Sequence, residues 1–345
     1  MTQEEKYLQK FDYKFPENLI AQKPASPRDS ARLLVYNRKT KKIHYDRFTN
    51  IVKYLPQNSV LVFNQTKVIP ARLNVKKETG GLARILFVKN ADPNLIFLSD
   101  RPLKINSKVS INKNIHFKVA KIIAGQYHLK PSFKPSKIHQ ILKKYGQTPI
   151  PPYIKNSPLK EKDLKQKYQT VFAKNLGSVA APTASLHFTK KLIGKIKKSG
   201  VGVAFITLHV NLGTFATVTA ENLQTSRLHK EFFEIDVKIA KILSQAKKDG
   251  KKIIPVGTTS LRTLESATNQ KGEIKKLKGE TDLFIRDQYH FKFTDGLITN
   301  FHVPRSSLLM LVSALVGREK ILEIYQKAIQ KKFRLFSFGD GMLIV

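Results

Sequence analysis

Between Arg72 and Gln147 the apolar residues of this chain come in short runs, at 83–88, 95–98, 115–123 and 127–129, and this stretch interrupts a different rhythm on either side of it. The runs are rich in Ile, Val and Phe and are separated by Gly80-Gly81, Asp92-Pro93, Asn-Lys and Ala-Gly, residues that turn a chain. They predict a small all-β module. The segment Thr148-Pro149-Ile150-Pro151-Pro152-Tyr153 closes it, since proline continues neither a helix nor a central strand. Outside the module, buried strands at 59–63, 201–208 and 252–256 alternate with amphipathic helices at 189–199, 235–246 and 260–267. The last helix follows Gly257-Thr258-Thr259, whose hydroxyls are expected to cap its first amides. Strand–helix alternation broken by strands alone predicts a layered α/β main domain, residues 1–71 and 148–345, carrying an inserted barrel-like β domain, residues 72–147.

The charge balance narrows the partners. Lys and Arg number 62 against 25 Asp and Glu, a net charge of +37. A field of that sign concentrates polyanions, nucleic acid above all. The same count also suits a chain that coats every solvated face with lysine, and the even scatter from Lys6 to Lys332 leaves both readings open. Cysteine is absent, which removes disulfides, thiolate nucleophiles and Cys-held clusters together, radical S-adenosylmethionine chemistry included. Residues 1–10 have no apolar core of a signal peptide, and the longest apolar stretch, 308–316, is well short of the ~18 residues that span a bilayer. A soluble cytoplasmic chain with no membrane partner is expected.

Four of the nine histidines fall at element boundaries. His187 ends a segment of small residues, 177–188, that includes Thr183 and lets a ligand approach the backbone. His209 follows a strand and enters the loop Asn211-Leu212-Gly213-Thr214-Phe215. His229 stands two residues before Glu231, and Asn300 and His302 precede Pro304, which is expected in the first turn of a helix. His187, His209, His229, Glu231 and His302 suit either a metal site or proton transfer. Spacing disfavours the metal, because no histidine pair stands at i and i+4 and no cysteine is present. The stretch Gly257-Thr258-Thr259-Ser260, with Arg262 and Glu265 behind it, suits an anion at a helix start or a capped core helix, and it is neither a P-loop nor a dinucleotide fingerprint. Arg28, Asp29 and Arg32, and Asn64, Gln65, Thr66 and Arg72, add polar groups beside apolar strands. Asp340, on the turn Gly339-Asp340-Gly341, faces a cation or makes an Asx turn.

Taken in order, Phe11-Asp12-Tyr13, Arg28-Asp29-Ser30-Ala31-Arg32, 61–73, 149–154, 179–188, Thr207-Leu208-His209-Val210, 256–266, Leu297-Ile298-Thr299-Asn300-Phe301-His302, 308–314 and 336–344 span nearly the whole chain. In these motifs the chain resembles the S-adenosylmethionine:tRNA ribosyltransferase-isomerase family. The resemblance implies an α/β domain with an inserted β-barrel. It implies transfer and isomerisation of the ribosyl part of S-adenosylmethionine onto the 7-aminomethyl-7-deazaguanine base at the tRNA wobble position, with adenine and methionine released and epoxyqueuosine-tRNA formed. No metal or cofactor is then needed, since S-adenosylmethionine is consumed, and a monomer is expected. The residues expected to move protons or stabilise charge are His187 and His209 first, then His229, Glu231 and Asp340. Arg28, Asn64, Thr66, Arg72, Thr183, Thr258, Thr259, Arg262, Glu265, Asn300 and His302 are expected to bind substrate. The chain departs from the family pattern at Ser185 and Asn211, where glycine is expected, at Ser226 for histidine, at Arg84 for an acid and at Gln65 for Asp or Asn. Were Ser185, Asn211 and Ser226 to disable the pocket, a non-catalytic basic RNA-binding protein would remain; a metal-dependent hydrolase on the histidines is a third reading.

Overall fold

In the computed structural model, which describes residues 2–210 and 218–345, nine strands form one mixed sheet. Its order is Lys278–Leu283, Arg227–Glu234, Gly202–Leu208, Ser59–Asn64, Lys252–Val256, Leu297–Asn300, Gly341–Ile344, Arg32–Tyr36 and Ile43–Arg47. The third to sixth strands run parallel. Parallel neighbours need crossover connections, usually helical, so both faces of such strands are covered and their residues read as apolar runs. All six residues of Ser59–Asn64 are buried. Their side chains still alternate. Leu61 and Phe63 pack with Leu192 and Ile196 of the helix Lys190–Lys198. Val60 and Val62 pack on the other side with Leu243 and Leu264, from the helices Val237–Lys248 and Thr258–Ala267. On that side, too, the helices Ser307–Val316 and Arg318–Gln330 cover Leu34, Met342 and Ile344. The result is a helix–sheet–helix sandwich, and among the described residues no helix is long and apolar enough to cross a membrane.

The main-domain strands and helices expected from the pattern are present within a residue or two, but two helix starts differ. Thr189, Asp236 and Ser306 each accept an amide of the first turn that follows them. The helix expected at 260 begins at Thr258 instead, and neither Thr258 nor Thr259 caps it; its cap position is Gly257, whose φ of +93° only glycine adopts freely. Pro304 lies in a turn, and the helix after it starts at Ser307.

Six antiparallel strands, Arg72–Lys77, Leu82–Ala91, Asn94–Ser99, Lys108–Ser110, His116–Ile123 and Gln126–Pro131, close into a barrel. Period-two burial fills its interior with Leu73, Val75, Ala83, Ile85, Phe87, Leu95, Phe97, Phe117, Val119 and Leu129. The module is not made of strands alone: a helix, Ile138–Tyr145, adds Ile138 and Leu142 to that interior. Ile138, Ile141, Leu142 and Tyr145 stand at i, i+3, i+4 and i+7, the spacing of one helix face, so the signal for this helix was present in the sequence. The chain enters and leaves the barrel side by side, Arg72 and Gln147 exchanging two backbone hydrogen bonds. Gly146 is required there, because a Cβ would come within 1.9 Å of the Pro70 carbonyl oxygen.

Candidate active site

The carboxyl ends of the parallel strands, where open α/β sheets bind ligands, surround one cleft of about 260 Å³. Strand Gly202–Leu208 delivers Val210 to it, Lys252–Val256 delivers Gly257, Thr258 and Thr259, and Leu297–Asn300 delivers Thr299, Asn300, Phe301 and His302. The small-residue segment contributes Ala180 to Ala184, and Tyr153 and Phe336 add aromatic faces. No carboxylate lines the cleft among the described residues. Its arginine, Arg305, is held by Asp12.

Behind this surface a polar chain fixes proton direction. Asn300 lies 3.3 Å from the main-chain oxygen of Asp340, 3.2 Å from His187 Nε2 and 3.0 Å from Thr183 Oγ1. A carbonyl oxygen only accepts, so the Asn300 amide group turns its NH₂ toward Asp340 and His187 and its oxygen toward Thr183. His187 Nε2 therefore carries the lone pair. Thr183 donates its proton inward and presents lone pairs to the cleft. His187 itself does not line the cleft: it is buried, stacks on Phe48 at 4.2 Å between ring centres, and burial lowers its pKa to about 3 despite the nearby Asp340. A group titrating that low is neutral at pH 7, and its contact toward the cleft wall is with Asn300.

His302 is the imidazole that does line the cleft. Its Nε2 meets Thr299 Oγ1 at 2.8 Å, its amide donates to the Tyr325 hydroxyl and its carbonyl accepts from Tyr13. Burial lowers its pKa, too, to about 3. His209 stands at the neighbouring strand end with Nδ1 2.8 Å from Thr66 Oγ1, its pKa lowered by burial and partly restored by Glu234. Asn64 anchors that end, accepting from the amides of Thr66 and Leu208 and donating to the Leu208 carbonyl. Asn211 and the rest of the loop after Val210, through 217, lie outside the described residues.

Several expected site residues are placed elsewhere. His229 is exposed on the strand Arg227–Glu234. Glu231 is buried against the Arg262 guanidinium. Glu265 accepts five hydrogen bonds, from the amides of Lys292, Phe293 and Thr294 and the hydroxyls of Thr294 and Tyr289. Asp340 is 1% exposed, and its carboxylate is taken by the amides of Arg32 and Arg334 and the Arg334 guanidinium. Arg28 holds the carbonyls of Gln166, Lys167 and Gln169 after a short helix, and Arg72 holds that of Ile150 at the neck of the barrel. In each case except His229, a partner supplied by another part of the chain occupies the polar group. Of the departures, Ser185 is buried with its hydroxyl unpartnered, Ser226 accepts from Arg286, Arg84 pairs with Asp100, and Gln65 takes part through its backbone. Tyr153, Phe301 and Phe336 line the cleft unforeseen by the sequence reading; the Pro151-Pro152 stiffening before Tyr153 was the available signal. Among the described residues no three of His, Asp and Glu converge as a metal site would require.

The family described as queuosine biosynthesis protein matches residues 8–344. A relative from Halothermothrix orenii is 44% identical across 98% of this chain and 99% of its own, and one from Carboxydothermus hydrogenoformans is 46% identical across 98% and 99%; both carry the name S-adenosylmethionine:tRNA ribosyltransferase-isomerase. A crystal structure of S-adenosylmethionine tRNA ribosyltransferase from Thermotoga maritima is 32% identical, with a TM-score of 0.55 over 97% of this chain and 100% of that one.

Proposed function

The chain belongs to the queuosine biosynthesis protein family, and from that premise we propose that it transfers and isomerises the ribosyl group of S-adenosylmethionine onto 7-aminomethyl-7-deazaguanine at the wobble position of tRNA, giving epoxyqueuosine-tRNA, adenine and methionine. The observation that carries the reading is the cleft itself: the ends of the parallel strands converge on a site walled by Tyr153, Phe301 and Phe336 and free of carboxylates among the described residues. A sulfonium is held there by ring faces, whose quadrupoles attract cations. It keeps its full charge, unquenched by an adjacent acid, and that charge acidifies the neighbouring ribose C5′–H.

Removal of that proton opens the sequence; adenine then leaves, the substrate amine adds, a carbocycle closes, and an alkoxide expels methionine to form the epoxide. In this reading His302 takes and returns protons at the cleft wall as a neutral imidazole. Thr183 accepts from a ribose hydroxyl or the incoming amine, its polarity set by Asn300, and His187 positions Asn300. His209, beside the loop that follows Val210, is the second base candidate. S-adenosylmethionine is a substrate here and no resident cofactor takes part. The net charge of +37 draws in the tRNA backbone, and the chain works as a cytoplasmic monomer.

Incubation with S-adenosylmethionine and tRNA bearing the aminomethyl base should release adenine in step with product. Binding of that tRNA without adenine release would leave a non-catalytic RNA-binding protein, and loss of turnover on chelation would return the metal-dependent reading.

A further inference from the structure

The helix Thr258–Ala267 opens into the cleft at its amino end. An α-helix leaves its first amides without intrahelical acceptors, and the N–H groups of Thr258, Thr259 and Ser260 are such amides. Most helices cover them with a side-chain oxygen at the cap position. Gly257 has none to offer. Ser260 turns its hydroxyl back to the Val256 carbonyl, away from the opening. A second observation is independent of the helix: Thr259 lines the cleft, is only 7% exposed, and its hydroxyl has no hydrogen-bond partner among the described residues. A buried hydroxyl left unpaired costs free energy, and such groups are commonly completed by a bound molecule.

Uncapped amides and an unpartnered donor hydroxyl at the positive end of a helix dipole suit one negatively charged oxygen group. Two sources of such a group come near this site, the α-carboxylate of S-adenosylmethionine and a phosphate of the tRNA. The enclosure favours the smaller. The opening sits within a 260 Å³ cleft whose walls include Ala180, Ala184 and Pro182; among the described residues no lysine lines it and its arginine, Arg305, is paired with Asp12, whereas a backbone phosphate is usually met by free cationic side chains. We infer that Thr259 and the first amides of the helix Thr258–Ala267 bind the methionine carboxylate of S-adenosylmethionine. This rests on the transferase reading above. It places the carboxylate at the helix end and the sulfonium toward the aromatic walls.

The test compares kcat/KM for adenine release from S-adenosylmethionine and from its decarboxylated analogue, each with saturating modified tRNA. In the natural chain the analogue should be poorer by roughly tenfold or more, the value of one or two charge-assisted hydrogen bonds. Thr259→Val should raise KM for S-adenosylmethionine roughly tenfold while leaving the analogue nearly unchanged, so that the discrimination shrinks, and Thr259→Ser should restore it. Equal use of both nucleosides by the natural chain, or an equal loss for both in Thr259→Val, would overturn the assignment. So would a Thr259→Val effect confined to KM for tRNA, which would give the site to a phosphate. Release of adenine from neither nucleoside is a different failure, that of the transferase reading itself.

Discussion

The two ends of the helix Thr258–Ala267 carry similar polar residues with opposite fates. At its carboxyl half Glu265 is fully buried and receives five donors from the segment 289–294. At its amino end, nearly two turns away, Thr259 is almost as buried and its hydroxyl has no partner among the described residues, beside amides that no side chain caps. A polar group that the protein itself satisfies holds the fold together; Thr259, open on the wall of the cleft, is left available to a ligand. The same contrast separates Asp340, saturated by Arg32 and Arg334, from Thr183, whose lone pairs face the cleft.

The strongest test of this contrast is Glu265→Ala. It orphans five donors, two of them on buried backbone, and should lower stability by about 3 to 5 kcal/mol, read as a fall in the urea midpoint, with kcat per folded molecule little changed. A stable but inactive protein would break the comparison by making Glu265 part of the site. Next is Asn300→Leu, which cuts the link between Thr183 and His187: kcat should fall about 100-fold, with tRNA affinity within a factor of about two. An equal loss of tRNA binding would make the link structural.

Acid stability sharpens the same division. His187 and His302 have folded pKa values lowered to about 3 by burial, whereas an unfolded histidine titrates near about 6.5. Between those values the unfolded chain binds more protons than the folded one, so stability is complete above the unfolded pKa and is lost as pH falls below it, by up to about 2 kcal/mol per histidine between pH 7 and 5. Denaturation midpoints at pH 7, 6 and 5 should show that slope, and His187→Gln should lessen it; an unchanged slope in the variant would place His187 in contact with water. The smallest effect is expected for Thr183→Val, which keeps the shape and removes one acceptor: kcat/KM for S-adenosylmethionine should drop about tenfold, and a stability loss without a kinetic one would sink its role.

The architecture was legible because it is written in local periodicity. Continuous apolar runs such as 60–63 and 253–256 announce strands covered on both faces, and the alternation Ala83, Ile85, Phe87 announces a barrel wall. Site membership was less legible. Thr258, Thr259, Arg262 and Glu265 look like one polar group in sequence, yet only the first two line the cleft, because 3.6 residues per turn and the packing of distant segments send the others elsewhere. His187 and His302 both stand at element boundaries, but a stacked Phe48 ring places one behind the wall and two tyrosines fix the backbone of the other within it.

What the sequence determined alone is what depends on residue type and spacing: the strands and helices, the interrupted α/β order, the absence of thiol chemistry, and, through motifs spread over the whole chain, the family. What the tertiary structure decided is which polar groups are satisfied. Glu265 meets donors 24 to 29 residues away, Asp340 meets an amide 308 residues away, and the Thr259 hydroxyl meets no partner among the described residues. Hydrogen bonding acts over about 3 Å in space whatever the separation along the chain, so the division between brace and binding site appears only once the fold has brought its partners together.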